Sequence, residues 1–180
     1  MIRPWPRIAS RPAFDGGLFR VTRDRTRSPR TGVEQDVYVI HMVDWLMTVP
    51  LTAEGDLVMV RQYRHGSGEV GLEFPGGLRD AGEPPQEGAA RELAEETGYG
   101  GGVLSLLGEL RPQPALLSNR VRIYLAQGVQ RTAAPQPDAG EDIEVVLLDP
   151  REVPARIASG EMHNAMTVTA LALARFGGHL

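Results

Sequence analysis

The chain has 180 residues, a length typical of one domain, and its 42% hydrophobic and 23% charged residues are ordinary for a globular protein. It contains no cysteine, which excludes disulfide bonds, zinc sites built on thiolates and thiol nucleophiles. A net charge of -4 gives no reason to expect nucleic acid as a partner.

The N-terminal segment lacks the apolar core of a signal peptide, and the longest apolar stretch, residues 165–176, is too short to cross a bilayer. We therefore expect a soluble, cytoplasmic protein with no membrane partner. Residues 1–30 carry eight arginines against Asp15 and Asp24. Two interpretations stay open for this segment: a surface that attracts phosphate, or a solvated arm.

Short segments rich in β-branched, aromatic and aliphatic residues alternate with turn formers along the chain. They predict strands at Leu18–Thr22, Val37–Met42, Trp45–Leu51, Leu57–Tyr63, Val103–Leu110, Val121–Gln127 and Ile143–Leu148. Helices are predicted at Pro84–Thr97, Pro150–Ser159 and Asn164–Phe176, and loops at Arg23–Gly32, Gly66–Gly71 and Thr132–Gly140. Strands outnumber helices without strict alternation, so we expect an α/β (α+β) fold with helices on both faces of a mixed sheet.

The helix predicted at Pro84–Thr97 carries the most informative pattern. At 100° per residue, Glu92, Glu95 and Glu96 fall within an arc of about 100°, while apolar residues cover another side. Like charges at this spacing destabilise a helix unless cations neutralise them. Mg²⁺ prefers oxygen ligands and commonly joins carboxylates to substrate phosphates, so the spacing predicts a phosphate-directed metal site.

The residues around this helix resemble the signature of the Nudix family, Gly-x5-Glu-x7-Arg-Glu-U-x-Glu-Glu-x-Gly-U, where U is a bulky aliphatic residue. Tyr99 is the one departure at the end of the motif. The positions in register are Gly77, Glu83, Arg91, Glu92, Leu93, Glu95, Glu96 and Gly98. The resemblance implies an α/β/α sandwich and hydrolysis of a nucleoside diphosphate linked to another group.

The same resemblance implies roles for single residues. Glu92 and Glu96 are expected to bind Mg²⁺, or Mn²⁺, together with the backbone carbonyl of Gly77. Arg91 is expected to orient the carboxylates, with Glu95 close to the reaction. A general base is expected on a downstream loop. Glu141 is the preferred candidate for the general base and is also a candidate metal ligand. Glu144 is the second candidate for the base.

Further similarity points to the ADP-ribose pyrophosphatase branch of the family. The segments that carry it are Val60–Arg64, Leu72–Gly77, Ser159–Glu161 and Asn164–Ala165. That branch implies a homodimer in which residues 1–50 form a β arm that crosses to the partner, with a catalytic domain at residues 45–180. Residues 112–118 depart from the pattern of that branch, so the identity of the sugar in the substrate stays open.

Three side chains are candidates for binding the substrate. By the resemblance Arg64 contacts phosphate, with Arg61 beside it, and Trp45 stacks on the base; Trp5 is the other tryptophan considered, and packing stays the alternative for both. The expected substrate is ADP-ribose or a related nucleoside diphosphate sugar. Alternatives are another nucleoside diphosphate derivative, a damaged nucleoside triphosphate, or a sensor that binds such a ligand without turnover.

Overall fold

A computed structural model describes all 180 residues. The chain forms two compact units. The first comprises Met1–Asp44 and Arg111–Arg120, and the second comprises Trp45–Leu110 and Val121–Leu180.

The first unit is built on a three-stranded antiparallel sheet of β1 (Arg7–Asp15), β2 (Phe19–Arg27) and β3 (Glu34–Met42), in that order. β1 was not predicted, because all nine of its residues are exposed and it shows no alternation of apolar and polar positions. The loop predicted at Arg23–Gly32 was wrong over its first five residues, which belong to β2.

Cross-strand ion pairs explain why an arginine-rich segment is a strand. Arg23 and Arg25 both bond Asp36 of β3, and Arg27 bonds Glu34 at 2.7 Å. Opposite charges facing each other on neighbouring strands stabilise a sheet. With Arg7 paired to Asp24, four of the eight N-terminal arginines have acidic partners within this unit. The pairing favours a structural role over a free phosphate-attracting surface.

The second unit contains a seven-stranded mixed sheet. Its strands are β4 (Trp45–Thr52), β5 (Leu57–Arg64), β6 (Glu69–Glu73), β7 (Tyr99–Gly100), β8 (Val103–Leu110), β9 (Val121–Arg131) and β10 (Ile143–Leu148). The order is β10-β5-β4-β9-β7, with β6 added to β5 and β8 added to β9. Only β4 and β9 run parallel, so the predicted mixed sheet is confirmed.

Helices cover both faces of this sheet, as predicted. They are α1 (Pro85–Thr97), a 3-10 turn (Pro150–Glu152) that leads into α2 (Val153–Ala158), and α3 (Ala165–Phe176). Leu93 of α1 packs on one face, against Val58 and Ala126. Ala170 and Ala174 of α3 belong to the larger core on the other face. None of the helices combines the length and the apolar character that crossing a bilayer requires.

The segment between β6 and α1, which contains Gly76 and Gly77 and is called the glycine segment below, is held beside β4. Thr48 donates its backbone N–H to Pro75 at 3.0 Å, and Leu46 donates to Gly77 at 2.9 Å. Glycine is required at position 76, because a Cβ there would lie 2.2 Å from the Leu46 carbonyl oxygen. The glycine segment is thus fixed in place before α1 begins.

The loop predicted at Gly66–Gly71 was wrong at its end, where residues 69–71 pair with β5.

Candidate functional site

The carboxylate helix α1 begins and ends where its sequence predicts. Pro84 is the residue before the first turn, and Pro85 opens it where backbone N–H groups lack partners. Gly98 ends the helix in the left-handed conformation, with φ of 74°, and its N–H donates to Ala94. A Cβ at Gly98 would also lie 2.3 Å from the carbonyl oxygen of Ala133. This end of the helix therefore packs closely on the loop that follows β9.

The three glutamates of α1 differ strongly in exposure. The Glu95 side chain is 46% exposed, the Glu92 side chain is 14% exposed, and Glu96 is 2% exposed. We expected one open face carrying all three, and this was wrong for Glu96, which lies among the packed residues of the helix. The three glutamates do lie on one side of α1, but Glu96 is buried because the glycine segment covers the helix there.

Arg91 lies at the centre of the acidic cluster. Its guanidinium bonds Glu83 through Nε at 2.8 Å and, through Nη1, Glu92 at 2.9 Å and Glu95 at 2.8 Å. Glu83 also accepts the backbone N–H of Asp80. Hydrogen bonding to Arg91 holds the pKa of Glu83 below its ordinary value. One guanidinium thus connects the loop before the helix to two carboxylates on it.

Gly77 and the carboxyl group of Glu92 lie so close together that a side chain at position 77 would force Glu92 to move. A Cβ at position 77 would stand 2.5 Å from the carboxyl carbon of Glu92. Burial raises the pKa of Glu92 above its ordinary value, while Arg91 opposes the shift. Because Gly77 has no side chain, the Glu92 carboxyl group can lie directly against its backbone. We call this space beside Gly77 the Gly77 cradle.

Glu96 is a buried carboxyl group without an arginine or histidine paired to it. It accepts the backbone N–H of Gly76 at 2.9 Å. Burial raises its pKa to about 8; the Gly76 N–H opposes the shift, and the neighbouring charges of Glu141 and Glu92 add to it. Three acids therefore act on one another electrostatically at this point, although Glu141 comes from a different element.

The loop of Glu141 is attached to α1 by backbone hydrogen bonds. Gln136 donates its N–H to the Glu95 carbonyl at 2.7 Å, and Thr132 and Ala133 donate to the carbonyl of Gly98. Glu141 itself is exposed and accepts the N–H of Asp138 at 3.1 Å. These bonds explain how a side chain 45 positions after Glu96 comes within its electrostatic range.

The NUDIX domain family matches residues 43–167 of this chain. This chain belongs to the Nudix family. It is 34% identical over 163 residues to an ADP-ribose pyrophosphatase of Mycobacterium tuberculosis (strain ATCC 25618 / H37Rv), a match that covers 89% of this chain and 78% of the relative. It is 30% identical over 165 residues to an ADP-ribose pyrophosphatase of Bacillus subtilis (strain 168), with 91% and 89% covered.

A solved structure of an ADP compounds hydrolase has the same fold. Its TM-score against the Nudix chain is 0.85, and the match covers 100% of this chain and 99% of that one at 24% identity. The predicted Nudix-like sandwich with an N-terminal β segment is thereby confirmed as the fold.

The candidate substrate residues of this Nudix protein do not share one environment. Arg64 bonds Glu73, whereas Arg61 bonds Glu144 at 2.5 Å and Glu161 at 2.6 Å. Trp45 is half-buried against the larger core, and Trp5 of the first unit is exposed. Arg64 is the one whose positive charge acts to lower the pKa of Glu96.

Two polar residues near Arg64 escaped the sequence analysis. Gln62 is 5% exposed, and its side-chain nitrogen has no hydrogen-bond partner. Glu73 is 1% exposed and is bonded by Arg64 and by Asn164. A signal existed for Glu73, since this acidic residue lies between the apolar residues Leu72 and Phe74, but none existed for Gln62, which follows Arg61.

No group of three or more histidine, cysteine, aspartate or glutamate side chains stands ready to hold a metal ion. The hydrogen bonds explain this, because Glu92 is turned towards Arg91, Glu96 towards Gly76 and Glu141 towards Asp138. The Gly77 carbonyl accepts the N–H of Leu46. Gly76, whose N–H donates to Glu96, lies directly beside that carboxyl group. The carboxylates of this Nudix site would have to rotate to share a cation.

Proposed function

We propose that the chain hydrolyses the diphosphate bond of ADP-ribose, or of a related nucleoside diphosphate sugar, to a nucleoside monophosphate and a sugar phosphate. Two relatives that share 34% and 30% identity with it are named ADP-ribose pyrophosphatases. The observation that carries the proposal is the grouping of Glu92, Glu96 and Glu141. Burial is the main cause of the raised pKa of Glu92 and of Glu96, and the negative charge of Glu141 adds to both shifts, so the three carboxylates lie within electrostatic range of one another.

A divalent cation fits this group. The Gly77 cradle leaves room at the Glu92 carboxyl group, and Glu96 is buried without a positive partner. We assign Mg²⁺, or alternatively Mn²⁺, to Glu92, Glu96 and Glu141, with a backbone carbonyl of Gly77 or Gly76. When bound, magnesium would neutralise diphosphate charge and make water more acidic. Nudix proteins in general need such an ion, and its identity here is part of the proposal.

The chain's own residues supply orientation and proton transfer. Arg91 holds the carboxyl groups of Glu92 and Glu95 from one side, which keeps Glu92 at the cradle. Glu141 is the proposed general base, because it is exposed to water and lies on a loop attached to α1. Glu144 is a weaker candidate, since Arg61 bonds its carboxylate.

Substrate recognition is assigned to the positive and aromatic side chains around this centre. Arg64 is proposed to bind a phosphate, and Trp45 to lie against the base. Arg61 remains a candidate, although Glu144 and Glu161 already bond it, so its role is more easily explained as fixing those two acids.

A homodimer is also part of the proposal. β1 is exposed along its whole length, and Ile8, Phe14 and Leu18 are large apolar side chains exposed on or beside it. An open strand edge with exposed apolar groups favours pairing with another chain. The N-terminal β arm within residues 1–50 is proposed to cross to the partner. Light scattering of the purified protein tests this directly: a monomer at micromolar concentration would contradict it.

The function is tested with a panel of nucleoside diphosphate sugars, with and without Mg²⁺ or Mn²⁺, scored by identifying the released nucleoside monophosphate. We expect ADP-ribose to be cleaved only with metal, and Glu96→Gln to lower turnover by about 100-fold or more. The matched control is Glu87→Gln, which changes an exposed glutamate in the first turn of α1. Full turnover by Glu96→Gln at saturating metal would contradict the metal assignment.

A further inference from the structure

Arg64 and Glu73 form a side-on ion pair that uses only part of the guanidinium. Nε lies 3.3 Å from both carboxylate oxygens of Glu73, and Nη2 donates to Oε2 at 2.9 Å. Nη1 has no hydrogen-bond partner in the protein, and the Arg64 side chain is 36% exposed. The pair therefore fixes the orientation of the guanidinium and leaves one nitrogen free to donate.

Glu73 is buried and has a second donor. Its Oε2 accepts the side-chain Nδ2 of Asn164 at 2.7 Å. Asn164 also caps α3, because its Oδ1 accepts the backbone N–H of Met166 at 2.8 Å. A carboxylate with 1% exposure needs both a positive partner and hydrogen bonds to offset the loss of water around it. Arg64 and Asn164 together satisfy that need.

The start of α3 is fixed relative to β6 through the backbone as well. Leu72 donates its N–H to the carbonyl of Glu161 at 2.9 Å. The Glu161 side chain bonds Arg61 and Arg156, so the segment before Asn164 is held from two sides. The position of Asn164 is therefore set by β6 and by the contacts of Glu161, and not by the carboxylate helix.

Arg64 also lies beside the proposed catalytic centre. Its partner Glu73 stands three positions before Gly76, whose backbone N–H donates to Glu96 at 2.9 Å. Arg64 precedes the glycine segment and belongs to β5, so it approaches the centre from an element other than α1. A guanidinium at this place is suited to a phosphate oxygen, which it binds in a defined direction.

We propose that Glu73 and Asn164 are positioning residues that hold Arg64 with its free Nη1 directed at the diphosphate of the substrate. The inference rests on the proposed function for the identity of the ligand, and it assigns a role to the Glu73 and Asn164 positions that the catalytic motif does not contain. Fixing a side chain in its working orientation lowers the barrier, because displacement by about 1 Å can cost on the order of 100-fold in rate.

The test combines Glu73→Gln, Asn164→Ser and Arg64→Ala with the double variant Arg64→Ala/Glu73→Gln. Serine caps a helix about as well as asparagine but is too short to reach Glu73, so Asn164→Ser separates the two roles of Asn164. Glu69→Gln is the matched control, since Glu69 is an exposed glutamate of the same strand whose carboxylate lies beside His163 and not beside Arg64; only its backbone pairs with Arg64, and the substitution leaves the backbone unchanged. Thermal unfolding verifies that each variant is folded.

We expect Glu73→Gln to lower kcat/KM for ADP-ribose by about 10- to 100-fold, and Asn164→Ser to lower it several-fold. Glu69→Gln should stay within about twofold of the wild type. In the Arg64→Ala background, Glu73→Gln should cause no further loss, because both changes remove the same interaction. Equal losses in the two backgrounds would overturn the proposal, since Glu73 would then act independently of Arg64.

A second measurement does not depend on activity. The Nε–Hε group of Arg64, assigned by comparison with Arg64→Lys, should give a slowly exchanging ¹⁵N NMR signal that is lost in Glu73→Gln and in Asn164→Ser. Inorganic pyrophosphate should shift this signal in the wild type. An inactive wild type that shows these NMR changes would contradict the proposed function and leave the positioning role supported. An unchanged Arg64 signal in both variants would overturn the positioning role, whatever the activity.

Discussion

The backbone N–H of Gly76 donates to the carboxyl group of Glu96 at 2.9 Å, and this single bond is the polar contact of a side chain with 2% exposure. Burial raises the pKa of Glu96 to about 8 from an ordinary value of 4.5. Between these two pKa values, Glu96 therefore keeps its proton in the folded protein and releases it in the unfolded chain.

Metal-free protein should lose stability as the pH rises between about 5 and 8. In that window the folded state binds more protons than the unfolded state, so the free energy of unfolding falls with pH, by an amount on the order of a few kcal/mol. Urea denaturation in EDTA at several pH values measures this change. Glu96→Gln is the control, because it keeps the histidines and removes only the carboxyl group. Identical pH profiles for the two proteins would contradict the raised pKa.

Adding Mg²⁺ should reverse the loss at pH 8. A cation binds the charged carboxyl group and not the protonated one, so metal affinity should rise with pH through the raised pKa of Glu96. Denaturation at pH 8 with and without millimolar Mg²⁺ gives the stabilisation, and Glu96→Gln should lose most of it. The same gain in both proteins would place the metal elsewhere.

Gly77→Ala should damage the site while leaving the fold intact. The added methyl would stand 2.5 Å from the Glu92 carboxyl carbon, so Glu92 has to leave its cradle. We expect turnover and metal affinity to fall by about 10-fold or more, with a small change in melting temperature. Gly66→Ala is the control, because nothing lies within 4 Å of a Cβ at position 66. Unchanged metal binding by Gly77→Ala, measured calorimetrically, would argue against the cradle.

Sequence reasoning worked where a local pattern decides the structure. Pro85 and Gly98 mark the first turn and the end of α1, because each has a backbone preference that does not depend on the rest of the chain. Strands such as β5 were predicted from apolar segments such as residues 57–60, all four of which are buried.

Features that depend on contacts between distant segments of the chain were not predicted from the sequence. The burial of Glu96 depends on the glycine segment beside β4, and periodicity along α1 does not contain that information. The ladder of ion pairs between β2 and β3 likewise needs the pairing register, which joins Arg25 to Asp36. The bond from Asn164 to Glu73 spans 91 positions, so spacing along the chain gives no indication of it.

Arg91→Lys should behave much like Arg91→Ala. A lysine keeps the charge, but an ammonium group does not reproduce the fork that joins Glu83 and Glu92 while also reaching Glu95. We expect both variants to lose about 100-fold in kcat and to unfold at lower temperature, because neighbouring carboxylates are left to repel one another. Arg175→Lys, at an exposed position in the last turn of α3, is the control. Full activity of Arg91→Lys would reduce the role of Arg91 to charge alone.

The choice between Glu141 and Glu144 as the general base can be settled by comparing two substitutions. Glu141→Gln should lower kcat by about 100- to 10,000-fold, the range for loss of a general base. Glu144→Gln removes only one of the two carboxylates that bond Arg61, and Glu161 still holds that guanidinium. The kcat of Glu144→Gln should stay within a few-fold of the wild type. Because Glu141 is also a proposed metal ligand, both variants are assayed at saturating Mg²⁺, which separates weaker metal binding from loss of the base. The opposite ranking at saturating metal would assign the proton transfer to Glu144 and leave Glu141 as a ligand only.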